Sequence, residues 1–241
     1  MPYRRLPNTD SSRLKALRIA FTKGKELPPF KLAFSQSTLQ DIQSFLPLFE
    51  HTLTMQKHAY SIQIEKNKEY ITSLKKIKLY ISHFIQVMNM AIAREELPAS
   101  TRKFFGFDEN DKSVPLLNTE NDIIKWGNML IDGESKRIRS GFSPITNPTI
   151  AIVKVKYEQF LELYNFQKTL QKNTLREHNK LAELRDKADN IIVKIWNGVE
   201  NTFKDLNEDD KREKCKEYGI VYVYRKNEIP KINFLDLNPV V

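Results

Sequence analysis

A chain of 241 residues with 40% hydrophobic and 29% charged side chains can bury a sizeable core, as one large or two modest domains. Its single cysteine, Cys215, excludes an internal disulfide. No apolar run approaches the roughly 18 residues of a membrane span, and the basic N-terminus lacks the apolar stretch of a secretory leader. A cytoplasmic protein without membrane association is expected. The net charge of +9 is concentrated in residues 1–34, which carry +6, while 35–96 carry +1, 148–206 carry +2, and 97–147 and 207–241 are neutral.

Residues 1–34 read as a basic N-terminal arm containing a short helix. Asp10 or Ser11 is expected to cap it, Leu14, Leu17 and Phe21 to form its apolar stripe, and Gly24 to end it. Pro28-Pro29 enforces an extended connection. Ser35 or Ser37 then caps the next helix, and Pro47 stands where a kink is expected.

Two stretches, 48–97 and 149–197, contain neither Gly nor Pro, the strongest helix breakers. They carry the same apolar pattern 111 residues apart. Leu39, Ile42, Leu46, Phe49 and Leu53 correspond to Ile150, Val153, Tyr157, Phe160 and Tyr164. Ile77, Ile81, Phe84, Met88 and Ile92 correspond to Ala188, Ile192, Ile195, Val199 and Phe203. The pattern predicts an all-α protein with an internal duplication, its copies at 35–96 and 148–206 and its bundle domain spanning 35–206.

The middle of each copy is polar: Gln56, Gln63 and Asn67 in the first, Gln167, Gln171, Thr174 and His178 in the second. Each copy is either one very long helix or a helical hairpin turning at its polar middle. Facing long helices would bury these groups, which costs free energy unless every group is paired. The preferred expectation is therefore a four-helix bundle of two duplicated hairpins, with two very long antiparallel helices as the alternative. The lack of Gly or Pro at either turn counts against the hairpins.

Residues 97–147 are too long for a simple helix connection and must carry structure. Thr119-Glu120-Asn121-Asp122 fits a capping box opening a short amphipathic helix that ends near Gly133. Phe104, Phe105 and Phe107 are apolar enough to plug the end of a bundle, and Pro148 suits the first turn of the following helix. In the tail, 207–241, Asn207 is expected to cap a polar helix through Glu217. The β-rich run Gly219–Tyr224 predicts a short strand, with Ile232–Leu235 as its pairing partner.

No catalytic residue, metal site or cofactor site emerges. His51 and His58 are two helical turns apart, about 10 Å, too far for shared ligation without other donors. Asp108–Asp111 lacks the glycine and terminal glutamate of a calcium loop and reads as an acidic turn. Cys215 has no local histidine and reads as a bystander thiol. The candidate anion or partner surface is Arg4, Arg5 and Arg13 in the arm, with Lys136, Arg137 and Arg139 after the short helix. The plainer readings are a solvated helix face for the first set and complementation of a helix C-terminus for the second.

The opening Met1-Pro2-Tyr3-Arg4-Arg5-Leu6-Pro7-Asn8-Thr9-Asp10 resembles the start of a group of uncharacterised bacterial proteins of the Bacteroidetes type. Further matches are Tyr80–Val87, Arg102–Gly106, Trp126-Gly127, Gly133-Glu134, Asn147-Pro148 and Ile195–Asn197. The resemblance implies a helical bundle in a bacterial cytoplasm and brings no activity or site residue.

The expected function is that of a non-enzymatic protein–protein interaction or structural protein, engaging a protein partner or self-associating through its terminal strand. One alternative is nucleic-acid binding through the basic arm; another is a small-molecule or metal site inside the bundle.

Overall fold

The computed structural model describes residues 3–224. Strand β1 (Tyr3–Arg4) precedes α1 (Asp10–Glu26), a 3-10 turn (Pro29–Lys31) and α2 (Gln36–Ala93). Then come α3 (Thr101–Phe104), α4 (Glu120–Arg139), α5 (Ile150–Thr202), α6 (Glu208–Glu217) and β2 (Tyr222–Val223). The protein is all-α apart from one antiparallel ladder that pairs Tyr3 with Val223 and Arg4 with Tyr222. The strand expected at Gly219–Tyr224 thus shortens to two residues and pairs with the N-terminus; Ile232–Leu235 lie outside the described residues. No helix among the described residues is long and apolar enough to cross a membrane.

The expected hairpin turns are not formed. Helix α2 runs unbroken for 58 residues, with Pro47 inside it, and α5 for 53. Pairing of the polar middles is the physical reason. Buried Gln167 donates from Nε2 to Asn67 Oδ1 at 3.3 Å, and Thr174 Oγ1 donates to the Ala59 carbonyl at 3.4 Å. Buried Glu177 accepts from Lys180 at 2.9 Å and from Arg176 at 3.2 Å. Gln167 Oε1 stays buried without a partner, but with the other groups paired or reaching the surface and no breaker present, the helix continues.

The compact units also differ from the sequence partition. Unit 1 comprises residues 1–58 and 175–241, and unit 2 comprises 59–174. Each takes half of α2 and half of α5. In unit 1 these halves join α1, α6 and the ladder; in unit 2 they join α3 and α4. The halves are antiparallel within each unit, as Asp41 beside Lys194 and Asn67 beside Gln167 show.

The core follows the heptad reading closely. In unit 1, Ile42, Phe49, Ala188, Ile192 and Val199 are fully buried around Leu17, Ala20 and Trp196. In unit 2, Ile77, Ile81, Phe84, Val153 and Phe160 surround Phe105, Ile123 and Leu130. Phe105 and Phe107 are core residues, as their apolar run suggested. Residues 10–26 are not an arm but a core helix. Gly24 and Gly133 do not end their helices: a Cβ on Gly24 would strike Leu39, and one on Gly133 would strike the Phe104 carbonyl.

Caps set the helix ends. Thr9, not Asp10 or Ser11, caps α1 by accepting from Ser12 N. Ser35 accepts from Thr38 N at 3.2 Å, and Asn207 caps α6. The capping box at Thr119 and Asp122 is complete. Pro148 lies in the turn before α5, not in its first turn.

The two halves of the chain contain matching details. Thr9 and Thr119, 110 residues apart, cap α1 and α4 in the same way. Helix α3 runs into Phe105-Gly106-Phe107 and α6 into Tyr218-Gly219-Ile220, 113 residues apart. In each, the central glycine has positive φ (+79° and +83°). Phe107 N donates to Arg102 O and Ile220 N to Cys215 O; Gly106 N donates to Lys103 O and Gly219 N to Lys216 O. Both are Schellman terminations, which need a left-handed residue after the helix. A Cβ on Gly106 would meet Met129 of α4, and one on Gly219 would meet Ile19 of α1. Met129 and Ile19 are themselves 110 residues apart.

Pairing across the polar middle has a measurable consequence. Asn67→Leu leaves the Gln167 amide buried and unpaired, so it is expected to lower unfolding free energy by about 1–3 kcal/mol. The double variant Asn67→Leu/Gln167→Leu is expected to recover most of that loss. Urea denaturation followed by helical circular dichroism checks both.

Candidate functional site

The basic residues singled out in the sequence do not form one surface. Arg4 donates to Glu200 at 2.9 Å and to Asn197 at 2.8 Å, and its guanidinium lies 5.9 Å from the Trp196 ring centre. Arg13 of α1 makes a two-pronged bond to Asp189 of α5 at 2.8 and 2.9 Å. Next to it the charges swap, with Arg185 of α5 gripping Asp10 of α1 at the same distances. The Arg185 hydrogen bonds hold the Asp10 carboxyl below its ordinary value, and bonding to Asp189 raises Arg13.

Arg137 is fully buried with Glu134, bonded twice at 2.8 and 2.9 Å. Glu134 also accepts from Ile145 N at 2.8 Å, so the pair staples the chain after α4 back onto it. Lys136 and Arg139 are exposed. Of the six, Arg4, Arg13 and Arg137 are spent on internal ion pairs, while Arg5 remains.

Arg5 stands on the rim of a cavity of about 530 Å³ inside unit 1. Its floor is apolar: Ala16 and Ile19 of α1, Trp196 of α5, and Ile220 after α6. Trp196, Ala16 and Ile220 are buried within the unit 1 core, so packing fixes the floor. The rim carries Arg5, Lys15 and Lys216 with Ser12 and Asn8, and no carboxylate among the described residues lines the cavity. Among the described residues none of the three cations has an ion-pair partner. Volume, apolar floor and a few polar groups on one side are the features of a small-molecule site. The second concavity, in unit 2, lies among Lys68, Glu69, Lys76, Lys156 and Glu162. Its charges are mixed, and Leu163 is the one aliphatic residue among those lining it.

No local motif marks this cavity, because its walls are α1 and the segment after α6, which are far apart in the chain.

The other chemistry-bearing residues do not converge. His51, His58, His83 and His178 are all exposed, and no group of three or more His, Cys, Asp or Glu among the described residues is arranged to hold a metal. Asp111 accepts from Ser113 N at 2.8 Å within an ordinary turn. Cys215 is fully buried, and burial pushes its thiol up, away from the reactive thiolate. Tyr222, which donates to Glu200 at 2.8 Å, is likewise raised by burial.

Two outcomes follow. Arg137→Met leaves Glu134 buried without its counter-charge and is expected to cost about 3–5 kcal/mol in denaturant unfolding, marking Arg137 as structural. Asp10 is held below its ordinary value in the folded state, so its stabilisation is complete above that value and is lost as pH falls through the lowered one. Asp10→Asn is expected to cost on the order of 1 kcal/mol at neutral pH, the scale of partly exposed ion pairs. It should also flatten the acid limb of stability below about pH 4, measured by thermal unfolding. Comparison with protein-family models, with curated proteins and with solved structures found no match.

Proposed function

We propose that the protein is a non-enzymatic binding protein, made of two copies of one helical unit, whose binding centre is the cavity of unit 1. The observation that carries this is the cavity itself: a fixed apolar floor beneath three cations that have no ion-pair partner among the described residues. The matched Thr9 and Thr119 caps and the matched Gly106 and Gly219 terminations support the duplication, with each unit a four-helix assembly drawing on both copies. The lone buried thiol supports a reducing, cytoplasmic setting, and the resemblance noted above is to bacterial proteins. A protein partner or self-association remains part of this reading, with the ligand as what such a partner would sense. Nucleic-acid binding is less well supported, because Arg4 and Arg13 are held in ion pairs with Glu200 and Asp189.

The test uses 8-anilinonaphthalene-1-sulfonate, whose fluorescence rises in apolar sites. The full chain is expected to bind one equivalent saturably, and Ile19→Glu, which places a charge on the cavity wall, is expected to weaken binding at least tenfold. Dye binding that does not saturate, or that is indifferent to Ile19→Glu in a folded variant, would remove the proposal.

A further inference from the structure

By residue spacing, the positions of unit 2 that correspond to this cavity floor carry two stacked rings. At the 110-residue spacing that relates α1 to α4, Ala16 corresponds to Trp126. At the 113-residue spacing that relates the two terminations, Ile220 corresponds to Phe107. Trp126 and Phe107 stack face to face, with ring centres 4.8 Å apart and planes 15° from parallel. The same spacings bring Ile19 and Met129 into register against their glycines, and Thr9 and Thr119 into register as helix caps. A helix position that is tryptophan in one unit is alanine in the other, and the residue facing it changes from phenylalanine to isoleucine. Unit 1 therefore lacks this stacked pair of rings, while Trp196, at the 111-residue spacing from Ile85, supplies one ring to its cavity wall.

The charges differ in the same direction. Lys125 and Lys103 of unit 2 correspond to Lys15 and Lys216 of unit 1. In unit 2 these charges are used: Lys125 lies 5.7 Å from the Trp126 ring centre, and Lys103 pairs with Glu109 at 2.7 Å. The residue in the place of Glu109 is Tyr222, whose hydroxyl is committed to Glu200. Among the described residues Lys216 is thus left without an acid, and Arg5, where unit 2 has Pro115, adds a third positive charge. What unit 1 lacks, relative to unit 2, is one flat ring and one negative charge.

Resting on the reading of the cavity as a binding site, we infer that its ligand is a planar aromatic anion of about indole size. Its ring lies over Ala16 and Ile220 and its acid group lies between Lys15 and Lys216. The ring gains apolar burial against Trp196 and Ile19, and the acid gains charge-assisted hydrogen bonds at the rim. An alkyl anion satisfies the rim but fits the flat layer poorly, and a neutral ring leaves the cations unpaired.

Titration calorimetry of the full chain with indole-3-acetate, octanoate and indole tests this. Indole-3-acetate is expected to bind as one equivalent and at least tenfold tighter than either of the others. Lys15→Glu/Lys216→Glu, both exposed positions, is expected to weaken indole-3-acetate at least tenfold and leave indole unchanged. Trp126→Ala removes the internal ring from unit 2 and is expected to raise the stoichiometry from one to two, with far-UV circular dichroism confirming that the variant is folded. Octanoate or indole binding as tightly as indole-3-acetate overturns the inference, as does a folded Trp126→Ala that still binds one equivalent. If the anilinonaphthalene dye binds in the Ile19-dependent manner and indole-3-acetate does not, this inference fails while the cavity reading stands. If neither binds, both fail.

Discussion

Everything in this fold depends on two helices not breaking. Helices α2 and α5 each contribute one half to each of two separate cores, so a turn in either would take an element away from both units. What keeps them continuous is modest: an amide pair at Asn67 and Gln167, a hydroxyl on a backbone carbonyl at Thr174, and a carboxylate at Glu177 served by two cations. None of these is a strong interaction, and each prevents a penalty more than it supplies a gain. The helical backbone itself, free of Gly and Pro between the two cores, does the rest.

A second layer of organisation lies in the short helices. Each long helix is preceded by a helix capped by threonine and followed by a short one stopped at a left-handed glycine. These devices fix chain direction with little apolar area, and they place the residues after Gly106 and Gly219 against α4 and α1. Unit 2 uses that placement to stack two rings. Unit 1 uses it to frame a space. The stacked rings lie in unit 2 and the cavity in unit 1.

Much of this was legible from residues alone. Ile42, Phe49, Ile81, Phe84, Ile192 and Ile195 fall where a heptad places core, because burial along a helix repeats with its turn. Thr119 with Asp122, and Asn207, were readable because a cap is a local event three residues long. The continuity of the long helices was not, since it depends on whether Gln167 meets a partner, and that partner is 100 residues away. The fate of the arm's charge is not legible for the same reason: Arg13 is basic in sequence but paired in space with Asp189, 176 residues on. The Glu134–Arg137 pair, by contrast, is three residues apart on one helix face and was within reach of sequence reasoning.

The division of the chain also ranks the two units by how they form. Unit 2 is one continuous segment, so its contacts close short to moderate loops. Unit 1 joins residues from both ends, as in the ladder of Tyr3 with Val223 and the grip of Arg185 on Asp10. Its loop-closure entropy is larger, and on a ribosome its parts are complete only after α6 and β2 have emerged. The cavity is therefore assembled after unit 2, and a solute that fits it can select chains in which both units are complete from those in which only unit 2 is.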